Sequence, residues 1–189
     1  MSICFLVEDF MKIIKTSSLL MALLALMGGA AHAFDGTITV NGNITANTCS
    51  IQVNNGTTDG VVGLPTVSSS TLLQTGDTAG ETPFTISLTG CTGGTLNTAS
   101  TFFEFGPMVD AASGRLNIET GTGAAQNVQI ELLNANLNPI VVGAVAQNDV
   151  PVDIATGSGV MNYAARYYAT GAAAPGSVST FVNYTVVYD

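Results

Sequence analysis

A single-domain antiparallel β-sandwich is the fold class that this sequence predicts, on three observations. Beyond residue 33, apolar residues recur at period two and not at the helical 3.6, the mark of half-buried strands. The alternating segments are separated by turn compositions rich in Gly, Asn and Thr, and no capped helical pattern outlasts a turn or two. There is no internal repeat, Pro-rich linker or charge block, so about 150 residues of short strands make one two-layer domain with Greek-key connections.

Residues 1–33 read as an export signal. Lys12 and Lys15 precede an apolar run from Leu19 to Met27, and Ala31-His32-Ala33 supplies the small residues that a signal peptidase requires, so cleavage is expected after Ala33. Counted from Met11 the signal has 23 residues, whereas a start at Met1 puts Glu8 and Asp9 where basic residues belong; Met11 is the expected start. A retained membrane anchor is the competing reading, but the apolar run is shorter than the ~20 residues that span a bilayer.

Cleavage leaves 156 residues with no Lys and no His, and with Arg115 and Arg166 facing 11 carboxylates, a net charge of -9. Such a chain has no means of displacing counterions from nucleic acid or an anionic membrane. A His-dependent triad or a His-ligated zinc site cannot form within it. Asp149 and Asp153 invite a glycosidase scheme, yet two solvated loop acids are the preferred reading, and no EF-hand-like spacing supports calcium. No catalytic residue, metal ligand or cofactor is assigned, and the chain is not expected to be an enzyme. Cys49 and Cys91 remain, with one possible connectivity in an oxidising compartment and no CxxC, which reads as a structural disulfide. Closing that loop is worth roughly 4 kcal/mol in the chain-entropy model.

The first segment after the signal, Phe34-Asp35-Gly36-Thr37-Ile38-Thr39-Val40-Asn41-Gly42-Asn43-Ile44, is apolar or Gly at every even position and polar at every odd one. Fully extended it would span about 37 Å, longer than most strands of globular domains. Two readings stay open: it is the first strand of the sandwich, or part of it leaves its own domain and completes another's sheet. Gly36 and Gly42 suit the second, where a neighbouring backbone comes close. Pro83-Phe84-Thr85-Ile86-Ser87-Leu88, Leu116-Asn117-Ile118 and Val128-Gln129-Ile130-Glu131-Leu132 alternate as well, each expected to bury one face and wet the other. At the C-terminus, Val178, Val182, Tyr184, Val186 and Tyr188 share one face of a final strand that should sit against a core. Pro175-Gly176 signals a turn after Tyr163-Ala164-Ala165-Arg166-Tyr167-Tyr168, so the last two strands read as an antiparallel pair.

These residues reach a known family. Four features carry the likeness: the alternating extension before the first cysteine, the run Gly42-Asn43-Ile44-Thr45-Ala46-Asn47-Thr48-Cys49, the run Phe84-Thr85-Ile86-Ser87-Leu88-Thr89-Gly90-Cys91, and a C-terminus with a penultimate Tyr188 and a Gly176 fourteenth from the end. In order and spacing the sequence resembles subunits of chaperone-usher fimbriae, the type 1-like pilins of Gram-negative bacteria. The middle, residues 92–158, adds only strand-like composition.

The resemblance implies an incomplete immunoglobulin-like sandwich that lacks its last strand, leaving a groove beside the chain's final strand. The missing strand is supplied in trans, first by a periplasmic chaperone and then, at the outer-membrane usher, by the extension of the next subunit. On this reading residues 1–33 are the signal, 34–48 the donor-strand extension and 49–189 the pilin domain. Gly36, Ile38, Val40, Gly42 and Ile44 form the donor strand, with Phe34 in phase. Gly176, Val182, Tyr184, Val186 and Tyr188 form the acceptor and chaperone-binding edge, and the Asp189 carboxylate meets a basic chaperone site. The implied function is a structural subunit of a fimbria on the outer surface, reached through the periplasm, polymerising head to tail with neighbouring subunits and supporting cell adhesion. The alternative is a self-sufficient secreted carbohydrate-binding sandwich. The absence of Trp and an aromatic content of 7% count against it, because sugar sites stack rings on aromatic faces.

Overall fold

The computed structural model describes residues 38–46, 48–93 and 97–189; the expected signal, its cleavage point, Phe34 and Gly36 lie outside the described residues. The chain divides into two units, Met1–Asn43 and Ile44–Asp189. In the first, residues 38–43 form no strand, so the alternation of the extension is not by itself a strand. A strand needs a neighbour for its backbone N–H and C=O groups, and a period-two pattern does not supply one.

In the second unit the strands are β1 (Thr48–Val53), β2 (Thr78–Thr92), β3 (Thr98–Phe103), β4 (Leu116–Asn117), β5 (Gln126–Leu133), β6 (Val152–Asp153), β7 (Ser158–Ala174) and β8 (Tyr184–Tyr188). They form a five-stranded sheet in the order β1-β2-β7-β5-β4 and a three-stranded sheet in the order β6-β3-β8. The named pairings are antiparallel, the longest running from Thr78↔Tyr168 to Thr89↔Ser158 between β2 and β7. Ile86, Leu88, Phe103, Leu116, Ile130, Leu132 and Met161 pack into one buried core. Cys49 and Cys91 are joined, tying the start of β1 to the end of β2.

Two polar clusters stand where sequence reasoning expected solvent. The first corrects the reading of Asp149 as a solvated acid. Its carboxylate accepts the Thr101 N–H at 2.6 Å and the Tyr163 hydroxyl at 3.0 Å. Beside it, Gln147 accepts the Phe103 N–H at 2.9 Å and donates to the Phe103 carbonyl at 2.7 Å. Because β6 pairs only with Thr98 and Ala99, these two side chains stand in for a strand along the rest of β3. Asp153 does stay exposed, accepting the Ala155 N–H.

Tyr163 fills the core under this cluster, its ring 5.4 Å from Phe84 and edge-on to Phe103 at 5.3 Å. Burial, with the Asp149 carboxylate beside it, pushes its hydroxyl well above the ordinary value. The folded-state pKa is raised, so the contribution to stability is full below the unfolded value near 10 and is lost as pH rises beyond it. Denaturant midpoints measured on either side of about pH 10 should fall less steeply for Tyr163→Phe than for the unaltered chain.

The second cluster corrects the expected wet face of β5, which is buried at every residue from Val128 to Leu133. Glu131 accepts from Arg115 Nε at 2.8 Å and from Arg166 Nη2 and Nε at 2.7 and 2.9 Å. The Arg115 guanidinium in turn lies 3.5 Å above the Tyr168 ring. A carboxylate can be buried here because two guanidiniums close over it with three charge-assisted N–H donors.

The expected pairing of the last two strands is also corrected. β8 pairs with β3, from Ala99↔Tyr188 to Phe103↔Tyr184, while β7 lies between β2 and β5. After Pro175-Gly176 the chain crosses to the other sheet, with Ser177 bridged in parallel to Ala124. Gly176 is needed for that crossing: a Cβ there would collide with Ala125 N and with the Ala124 carbonyl. Gly176→Ala should therefore lower the unfolding midpoint, at a cost of about 1–3 kcal/mol.

Candidate functional site

Between the two sheets one side of the sandwich is open. A groove of about 880 Å³ runs there, walled by residues 58–64 on one side and 178–184 on the other. Its floor is the hydrophobic core itself, including Phe84, Ile86, Phe103, Leu116, Ile130 and Leu132. The opening follows from the topology, since β8 ends the three-stranded sheet and residues 58–64 join no strand. Among the described residues, neither wall segment 58–64 nor 178–183 donates a backbone hydrogen bond. A second hollow of about 340 Å³ adjoins it, sharing Tyr167 and Val178.

The groove is pinned at one place. The Tyr184 hydroxyl donates across to the Thr58 carbonyl at 2.7 Å, and burial together with nearby Asp59 raises the Tyr184 pKa. The ionisable lining residues are Asp59, Tyr167 and Tyr184, with no cation among them. Nothing here is arranged for bond making. An apolar floor between two rows of unpaired N–H groups is arranged to take an extended chain that supplies carbonyls and alternate apolar side chains.

The structure brings part of the expected edge to this groove. Val182 and Tyr184 line it, and Val186 and Tyr188 pack half-buried against the core along β8. Val178 joins the same face, while Phe181 and Val187 are exposed. Gly176 lines the adjoining hollow. The main-chain oxygen of Asp189 accepts from the Asn97 and Thr98 N–H groups, both at 3.0 Å. Of the expected donor positions, Ile38, Val40 and Ile44 are exposed, Gly42 has no neighbour within 4 Å of an added Cβ, and Gly36 is outside the described residues. Sequence reasoning missed the wall 58–64 altogether. Its one signal was Gly60, where a Cβ would meet Val53 and push the wall off β1.

Comparison with known proteins identifies the family. The model of the type-1 fimbrial protein A family matches residues 64–189. The chain is similar to the major fimbrial subunit SMF-1 of Stenotrophomonas maltophilia (strain K279a), at 45% identity over 166 residues covering 85% of this chain and 96% of that protein. It is similar to the F17 fimbrial protein of Escherichia coli, at 39% over 180 residues covering 92% and 98%. Among solved structures the P pilus rod subunit PapA shares the fold, with a TM-score of 0.53 at 22% identity over 75% of this chain and 99% of PapA. All-β, immunoglobulin-like and matched over two thirds of its length, the chain belongs to the type-1 fimbrial protein family.

Proposed function

We propose that this non-enzymatic structural subunit of a surface fimbria polymerises head to tail, each groove taking the 34–48 extension of the next copy as its missing strand. The observation that carries the reading is the groove: it is floored by core residues and bounded by unpaired backbone donors on both walls. Residues 38–44 are its chemical complement, exposed and alternating, with Ile38, Val40 and Ile44 outside any strand. Extended at about 3.3 Å per residue, the seven residues 178–184 and the seven residues 38–44 both span about 23 Å. Full burial of each of the three apolar side chains contributes about 1.5–3 kcal/mol. Donation from one copy to the next is heterologous and does not close, so it generates a filament.

In this scheme residues 1–33 direct export and are removed, and 49–189 form the pilin domain. An open groove of this kind aggregates, so a periplasmic chaperone holds it first, along Val182, Tyr184, Val186 and Tyr188, with Gly176 and Asp189 at the ends of its contact. Exchange of the chaperone strand for the next extension takes place at an outer-membrane usher, and the finished fimbria supports adhesion.

The test compares residues 34–189 with a variant in which residues 34–48 are moved behind Asp189 on a flexible Gly/Ser linker. The linked copy completes its own sheet and should be a very stable monomer, while the unaltered chain aggregates or needs a chaperone. Equal midpoints for two well-behaved monomers would mean that the sandwich lacks no strand.

A further inference from the structure

We propose that Asn41-Gly42 is a self-modification site, at which an unpolymerised subunit loses its usable extension with time. Two Asn-Gly pairs occur after the signal, and the structure treats them differently. Asn41 and Gly42 are both exposed and outside any strand, and nothing lies within 4 Å of where a Cβ on Gly42 would be. In the other pair, the Gly56 N–H donates to the Val53 carbonyl at 2.9 Å, and Asn55 is held at a φ of 61° in a turn closed by Val53 N–H to Thr57 O at 2.8 Å. The Gly56 nitrogen is occupied; the Gly42 nitrogen has no partner among the described residues.

The chemistry needs only base and water. Hydroxide removes the proton of the Gly42 backbone nitrogen, which attacks Asn41 Cγ. The new N–Cγ bond forms, the Cγ–Nδ2 bond breaks, and Nδ2 leaves as ammonia after taking a proton from water. Water then opens the cyclic imide at one of its two carbonyls, giving aspartate or isoaspartate at position 41. Glycine favours the closure because it has no Cβ to crowd it.

Isoaspartate inserts its Cβ into the main chain between Val40 and Gly42. The period-two register is broken there, so Ile38 and Val40 can no longer share a face with Ile44. A carboxylate is added as well. Strand pairing in a groove would hold the segment extended and stop the attack, so polymerised subunits are protected. This consequence rests on the donor-strand reading; the reactivity of Asn41 does not.

The experiment incubates unpolymerised 34–189 and assembled filaments at neutral and mildly alkaline pH. Conversion is mapped by mass spectrometry, using a protease that cuts before aspartate but not isoaspartate, and by isoaspartyl methyltransferase labelling. Asn41 of the free subunit should convert at least about fivefold faster than Asn55, the ratio that one backbone hydrogen bond of ordinary strength imposes. The rate should rise with pH and fall in filaments, and aged subunits should lose the ability to join filaments while Asn41→Gln subunits keep it. Conversion at Asn41 no faster than at Asn55 would overturn the proposal. So would undiminished incorporation of subunits carrying isoaspartate at 41. If deletion of residues 34–44 leaves filament growth intact, the donor-strand reading fails instead, and the measured ratio of conversion rates still stands.

Discussion

Glu131→Ala is expected to cost the subunit about 3–5 kcal/mol of stability, the range for leaving buried charge without its partner. The side chain of Glu131 is only 3% exposed, whereas those of Arg115 and Arg166 are 23% and 22% exposed. Removing the carboxylate leaves two guanidiniums over an apolar sheet, and among the described residues only Glu81, 3.7 Å from Arg166, remains as an ion-pair partner. Their partial access to water places the loss toward the lower end of that range. Glu131→Gln keeps the shape and an acceptor but no charge, and should fall between the two. Urea titrations check this, with exposed Glu119→Ala as the control that should shift stability by no more than about 0.5 kcal/mol.

The largest functional effect is expected from Val40→Asp combined with Ile44→Asp. In the subunit these residues are 88% and 98% exposed, so the isolated fold should be unchanged within about 0.5 kcal/mol. In the proposed fibre both positions face the core of a neighbour, where an unpaired carboxylate costs several kcal/mol. Filament growth should then drop by about a hundredfold or more, since each 1.4 kcal/mol is a factor of ten. Light scattering or electron microscopy of purified subunits reads the result. Normal growth by the double variant, or by a chain lacking residues 34–44, would remove the extension from the assembly scheme.

Alternation made much of the sandwich legible. Phe84, Ile86 and Leu88 on β2, and Ile130 and Leu132 on β5, are core residues because a strand puts every second side chain on one face. The shared face of Val178, Val182, Tyr184, Val186 and Tyr188 was legible for the same reason. Which strand lies beside which was not. Pro175-Gly176 is equally good at starting a hairpin and at starting a crossing, and only the contact with Ala124 decides between them. The wall 58–64 carries Gly60 and Gly63 and no alternation, so nothing local marks it as half of a groove. Asp149 and Gln147 act on residues 48 and 44 positions away, and Glu131 on partners 16 and 35 away. Those choices belong to tertiary structure, which is why β5 looked half wet and is dry.

The Arg115–Glu131–Arg166 clamp also has a consequence outside the subunit that contains it. Because both cations of residues 34–189 close on one internal carboxylate, the solvent-facing charge of the molecule is almost wholly negative, within a net of -9. A filament of such units is a polyelectrolyte that repeats the same sign along its whole length, with no opposite patch to offer a parallel neighbour. At low ionic strength, where the screening length reaches about 30 Å at 0.01 M, such filaments hold each other apart; near 1 M it shrinks to about 3 Å and they can lie side by side. In the proposed scheme, joining end to end depends on apolar burial and backbone pairing, which salt does not screen, so ionic strength should tune how filaments bundle without dissolving them.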